Sequence, residues 1–298
     1  MRGGRGNART ALPWVVAMLL FKRGLVVPVL RFAGPIGMAT PLRPGLVLAA
    51  VAGAIEKAFG LSKLPSVAVV VNSPGGSPVQ SHLIFGRIRQ LAAEKGKRVY
   101  VFCEDVAASG GYFLALAGDE IYADPSSIIG SIGVISSGFG LDKLIARFGV
   151  ERRVHTSGQD KGALDPFQPE RPEDIARLKQ LQRTVHDAFI GVVRDRRAGR
   201  LKGEEQELFS GSFWSAAKAL ELGLIDGIAD VRSKMQQLHG PKVRLRAVPL
   251  TAGGLLARFR RLPGLEFVGG DALLAPTSFA DDLISALEVR ALWSRFGL

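Results

Sequence analysis

Cysteine is almost absent: Cys103 is the single one in 298 residues. An intramolecular disulfide framework is therefore excluded, and the chain fits a reducing compartment. Cys103 itself falls in an apolar run and reads as a core residue. Histidine is scarce too. His82, His155, His186 and His239 show no metal-ligand spacing, so no metal is expected. No phosphate-binding loop occurs, and Gly3-Gly-Arg-Gly6 follows no strand, which removes a nucleotide fingerprint. No cofactor is expected. The apolar run at residues 11–21 is too short to span a bilayer as a helix, and no small-x-small cleavage site follows it. Aromatics make up only 7% and do not interleave with basic residues, so no nucleic-acid module is expected.

Positive charge is present in excess. The net charge is +12, with groups at Arg2, Arg5 and Arg9, at Lys22-Arg23, at Arg194–Arg200 and at Arg258–Arg261. Attraction to an anionic membrane surface explains this as well as solvated helix faces do. Residues 1–10 read as disordered. Residues 11–21 read as an interfacial anchor or as a helix packed on a neighbouring subunit or on the chain itself. A peripheral membrane location and a cytoplasmic one both remain open.

From residue 25 onward, strand and helix patterns alternate. Leu25–Phe32, Val67–Val71, Val99–Cys103 and Ile121–Ala123 are apolar runs of buried-strand type. Helical spacing covers Gly45–Phe59, Val79–Glu94, Leu141–Phe148, Pro172–Arg197, Trp214–Leu222 and Val231–Leu238. Shorter strands are expected at Glu151–His155, Ile225–Ile228 and Lys242–Val248, and the small-residue-rich Ser126–Gly133 reads as a close-approach loop leading into Val134-Ile135. Such alternation implies an α/β fold with a mostly parallel sheet and flanking helices. After Pro249 the composition shifts to Gly, Leu and Arg, and Ser278–Phe296 reads as an amphipathic helix.

Two turns stand out. Asn72-Ser-Pro-Gly-Gly76 and Ala107-Ala-Ser-Gly-Gly111 each follow an apolar strand and open a helix. In a parallel sheet both lie at the carboxyl edge, where such folds place their sites. Ser109 meets the positive end of a helix there, which suits either a nucleophile that creates an oxyanion or a helix N-cap. The backbone N–H groups of Gly76 and Gly110 are candidate oxyanion donors. A serine needs a base. No Asp-His-Ser pattern is evident; His186 and His239 read as surface residues. His155, at a strand end, and Lys161, in Ser157-Gly-Gln-Asp-Lys161, remain candidates; a lysine serves only if burial lowers its pKa.

With these residues laid out, the chain resembles the S49 family of serine peptidases, the signal peptide peptidase A and SohB-like group, which shares the Clp protease/crotonase-like fold. The matching motifs are Asn72–Gly76, Ala107-Ala-Ser-Gly-Gly-Tyr112, Gly130-Ser-Ile-Gly-Val134, Ser157–Lys161, and Leu208-Phe-Ser-Gly211 through Ala216–Gly227. They occur in the family's order across residues 25–248. That divides the chain into an N-terminal arm (1–24), a peptidase domain (25–248) and a C-terminal extension (249–298). The resemblance implies a Ser–Lys dyad: Ser109 as nucleophile, Lys161 as general base, Gly76 in the oxyanion hole, and Ser131 orienting the lysine amine. It also implies apolar peptide substrates, such as remnants of cleaved signal peptides, and homo-oligomers that build the site across subunits. Two other readings stand beside it: a crotonase-type acyl-CoA enzyme, and an inactive scaffold that binds membrane-protein partners.

Overall fold

The computed structural model describes residues 25–37, 45–158, 160–250, 287 and 289–298. The expected anchor at 11–21 and most of the helix expected over 278–296 lie outside them.

The sheet grows outward from β2 (Ser66–Ser73), all eight residues of which are buried. It pairs in parallel with β1 (Val26–Ala33) on one side and β3 (Arg98–Ala108) on the other. β8 (Arg244–Ala247) extends the β1 edge, also in parallel. Side chains alternate across the sheet as the two-residue period requires. Val67, Val69 and Val71 join Val99, Val101 and Cys103 on one face. Ala68 and Val70 join Tyr100 and Phe102 on the other. Burying one such valine contributes about 1.5–3 kcal/mol, so β2 alone anchors two cores.

Helices α1 (Leu48–Leu61) and α2 (Pro78–Lys95) cover the first face, through Ile55, Phe59, Ile84 and Ile88. Each carries an apolar stripe at helical spacing. Ser77 caps α2 by accepting from the Gln80 N–H, and Pro78 stands at its first turn, where a missing N–H costs nothing.

β3 is eleven residues long and forks the sheet. Its first half pairs with β4 (Glu120–Ala123), and its last three residues pair with β5 (Ile128–Gly130). The apolar pattern suggests an end at Cys103, because Glu104 and Asp105 interrupt it. Both acids are occupied in the structure. Glu104 accepts from Arg31 at 2.6 Å, and Asp105 accepts from Asn72 Nδ2 at 2.6 Å. Asn72 sits where the β2–β3 register shifts, and its Oδ1 takes the Val106 N–H. One side chain thus locks both glycine turns to the fork.

After the fork come a short helix α3 (Gly110–Ala115), α4 (Asp142–Arg147) and the long α5 (Pro172–Arg196). A single turn, α6 (Glu205–Leu208), leads to β6 (Phe213–Ser215), α7 (Ala216–Glu221), β7 (Gly227–Ile228) and α8 (Val231–His239). β6 pairs antiparallel with β5, and β7 pairs in parallel with β4. The remaining ladders are parallel, so the α/β expectation holds.

Three expectations fail. Glu151–His155 is not a strand: it is exposed coil and pairs with no strand among the described residues. Ser126–Gly133 is not loop throughout: its middle, Ile128–Gly130, is β5, which pairs with the end of β3. Trp214 lies in β6 rather than in a helix, because Ile129 pairs with it.

The buried Arg197 ties the far end together. It donates to Gly223 O at 2.8 Å and to both carboxylate oxygens of Asp226. Tyr112 OH donates to Leu224 O at 2.7 Å. At the C-terminus, Trp293 and Phe296 pack against Val106, Ala108 and Ile128, behind the strand end that leads to Ser109.

Candidate active site

Ser109 stands in the N-cap position of α3 with φ 52° and ψ −123°. Positive φ is rare outside glycine and costs of order 1–3 kcal/mol, so the surrounding structure must enforce it. The Ser109 N–H donates to Gly130 O at 2.8 Å, which fixes the turn against β5. The Ser109 side chain makes no capping hydrogen bond. That removes the N-cap reading: the hydroxyl is held in a sharp strand-to-helix turn without serving the helix.

The two glycine turns interlock. A Cβ on Gly75 would come within 2.7 Å of Ser109 Cβ and 2.9 Å of Gly110 N. A Cβ on Gly110 would sit 3.3 Å from Gly76 N. Gly76 has φ 138°, and any side chain on it would drive into the Ile36 carbonyl. Only glycine fits there. Among the described residues the Gly76 N–H has no recorded acceptor, and Gly110, first in α3, has no intrahelical one. Two close, unspent N–H groups beside a strained serine form an arrangement that can hold an oxyanion.

Ser109 opens on a cavity of about 560 Å³. Its walls are Val79, Leu83, Phe113, Val134, Val185, Ala188 and Phe189, with His82 and Thr184 as the polar side chains besides Ser109. Phe113 packs against Phe189 with ring centroids 4.9 Å apart, and edge-on against Phe85 at 5.5 Å. Helical periodicity indicates that Val185 and Phe189 belong to one face of α5; it does not indicate that this face lines a cavity. The α2 residues Val79 and Leu83 were legible as apolar helix positions, again without their role.

The structure places the other expected residues as follows. Ser131 is 6% exposed with φ 53°, and it follows Gly130, the register partner of Ala108. It therefore stands beside Ser109. Lys161 is exposed in a turn next to Asp160, which pairs with Arg177 at 3.0 Å. It does not line the cavity of its own chain. Arg177 lies about 10 Å along α5 from Thr184, at 1.5 Å per residue. His155 is exposed and also absent from the cavity wall. His82, in the helix after the first glycine turn, is the histidine on that wall, stacked edge-on to Phe113 at 5.8 Å.

His186 and His239 correct the surface reading. His186 Nε2 lies 3.0 Å from Ile132 O and is partly buried. His239 Nε2 lies 2.9 Å from Ser66 Oγ, and partial burial lowers its pKa. Cys103 is buried as expected, and desolvation pushes its thiol up to about 12. Among the described residues no cluster of His, Cys, Asp or Glu could hold a metal.

A forked, mostly parallel sheet flanked by helices, with a strained serine and paired glycine N–H groups at its carboxyl edge, defines the class: an α/β protein. The chain belongs to peptidase family S49, whose family model matches residues 92–243. It is 50% identical over 301 aligned positions to proteins of Brucella abortus and Brucella melitensis named Na(+)/H(+) antiporter NhaA. Those matches cover 99% of this chain and 40% of each relative. It is 30% identical over 170 positions to "Serine protease SPPA, chloroplastic" of Arabidopsis thaliana, covering 56% of this chain and 24% of that protein. The chain thus spans about two fifths of the antiporter-named relatives. No described helix is long and apolar enough to cross a membrane.

Proposed function

We propose that the chain is a serine peptidase in which Ser109 attacks the carbonyl of an apolar peptide and Lys161 of a second copy is the general base. The observation that carries the nucleophile is the Ser109 turn. Its backbone is strained, its hydroxyl serves no cap, and it faces an apolar cavity beside the N–H groups of Gly76 and Gly110.

In this reading Ser109 Oγ bonds to the scissile carbonyl carbon and its proton passes to the neutral lysine amine. The carbonyl oxygen becomes an oxyanion held by the Gly76 and Gly110 N–H groups. The ammonium then protonates the leaving amine, and the peptide C–N bond breaks. Water attacks the acyl-serine with the same lysine taking its proton; the acyl carbon–Oγ bond then breaks, the ammonium returns the proton to Ser109 Oγ, and the acid product leaves. Ser131, beside Ser109, orients the amine. The cavity receives an apolar side chain next to the scissile bond, which fits remnants of cleaved signal peptides.

A second copy is invoked because Lys161 is exposed outside its own chain's cavity. The segment around it carries Ile135, Phe139, Phe148 and Val150, each more than half exposed, and α4 buries no residue. An apolar excursion of that kind suits burial against another subunit.

A serine-reactive fluorophosphonate tests the nucleophile. Labelling of the wild type and not of Ser109→Ala supports the peptidase. The antiporter-named relatives favour a second reading, an inactive scaffold serving a membrane protein. A folded, assembled wild type that takes no label favours the scaffold.

A further inference from the structure

Two of the helices that line the Ser109 cavity, α2 and α5, run on to a second pocket at the opposite, amino edge of the sheet. α2 lines the cavity with Val79 and Leu83 and reaches this pocket with Arg89. α5 lines the cavity with Ala188 and Phe189 and reaches it with Arg196; Arg200 follows just beyond. Lys97 and Arg98, at the start of β3, close the ring. The space is about 490 Å³, and Asp119 is the one acid on its wall.

Structural roles account for part of this charge. Arg89 Nη1 donates to Ala117 O, and Arg196 donates to Leu116 O and Gly118 O, so both cap carbonyls at the end of α3. Cations suit a helix C-terminus. These bonds leave Nε and Nη2 of Arg89, and Nη1 of Arg196, without a recorded acceptor among the described residues.

Neighbouring acids do not neutralise the rest. Asp119 is shared between Arg89 and Arg196. Glu120 is shared between Arg98 and Lys234, and Asp226 between Arg200 and the buried Arg197. Every one of these carboxylates serves two cations. Burial, followed by the charge of Arg89, lowers the pKa of the Arg196 guanidinium. Crowding of like charge at a concave, partly desolvated surface is the condition that an anion relieves.

We infer that the pocket formed by Arg89, Lys97, Arg98, Arg196 and Arg200 binds a phosphate group carrying two negative charges. Guanidinium forks match phosphate oxygens bidentately, and the lysine adds a point charge. The phosphate is either that of a soluble compound or that of a lipid headgroup. The site is separate from Ser109, at the other end of the eleven-residue β3.

The test uses the full chain and two probes: inorganic pyrophosphate by isothermal titration, and vesicles containing phosphatidic acid, a phosphomonoester lipid, by co-sedimentation. Three proteins are compared: wild type, Lys97→Gln with Arg98→Gln, and a control, Lys57→Gln with Lys143→Gln, that removes the same charge elsewhere. Pyrophosphate binding that the pocket variant weakens by about tenfold or more, and the control does not, supports the site with a soluble phosphate. The same pattern with vesicles alone supports it with a lipid phosphate. Binding of neither probe by the wild type, or equal loss in both variants, overturns it. A melting curve checks folding. Should the double variant not fold, Arg98→Gln, whose side chain is largely exposed, carries the comparison.

Discussion

Ser109 and Ser131 leave neighbouring parallel strands side by side, both with left-handed backbone, φ 52° and 53°. Each is held by one short bond. The Ser109 N–H donates to Gly130 O at 2.8 Å, and the Ser131 N–H donates to Ser212 O at 2.7 Å. Two adjacent serines in a conformation that disfavours serine mark a place where the fold stores strain, and stored strain clusters at functional sites.

That strain has a measurable release. Ser109→Gly should be more stable than Ser109→Ala by about 1 kcal/mol in urea unfolding, since glycine adopts the turn freely. Both should be inactive. Equal stabilities would mean that the turn is not strained.

The oxyanion arrangement depends on the bare backbone of Gly76. A valine there meets the Ile36 carbonyl, so Gly76→Val should displace the turn and remove one donor. Loss of one donor lowers turnover by about 10²–10³-fold. A folded Gly76→Val protein with near wild-type turnover would place the oxyanion elsewhere.

Cavity size should set substrate preference. Ala188 lines the cavity yet is exposed, so Ala188→Trp should fold normally. The indole would fill space meant for a substrate side chain and raise KM for bulky apolar peptides by about tenfold, the scale of 1–2 kcal/mol of lost burial. Small side chains should be affected less. An unchanged ratio between large and small substrates would move the specificity pocket away from Phe113 and Phe189.

Cys103 gives a chemical check on the core. Burial pushes its thiol up to about 12, so it should resist iodoacetamide at neutral pH while the protein is folded. It should react stoichiometrically once the chain is unfolded in guanidinium. Rapid labelling of the native protein would mean that the sheet opens between β3 and its neighbours.

Much of this architecture is legible in the sequence, and the gaps have physical causes. Val67–Val71 and Val99–Cys103 read as strands because both faces are buried, which leaves an unbroken apolar run. The end of β3 was hidden by Glu104 and Asp105, whose partners Arg31 and Asn72 are distant in sequence. Glu151–His155 reads as a strand, but a strand needs a neighbour, and it pairs with no strand among the described residues. The Ser109 and Gly76 turns were visible through their glycines, and the fold brings them together. The cavity wall was not, since Val185 and Phe189 reveal a face of α5 and not what it faces. Nor could the spacing of Lys161 from Ser109 show that Lys161 is exposed and outside the cavity wall of its own chain.

The most direct measurement of the shared site is complementation between two inactive proteins. Ser109→Ala retains Lys161, and Lys161→Ala retains Ser109. Each alone should hydrolyse nothing, whereas His155→Ala should keep most activity and Ser131→Ala an intermediate level. Mixed under conditions that exchange subunits, the two inactive proteins should recover hydrolysis, because some sites then pair an intact Ser109 with a neighbour's intact Lys161. A mixture that co-assembles yet stays inactive, while wild type treated alike remains active, would contradict a site built across two copies. Full activity of Lys161→Ala alone would contradict the dyad itself.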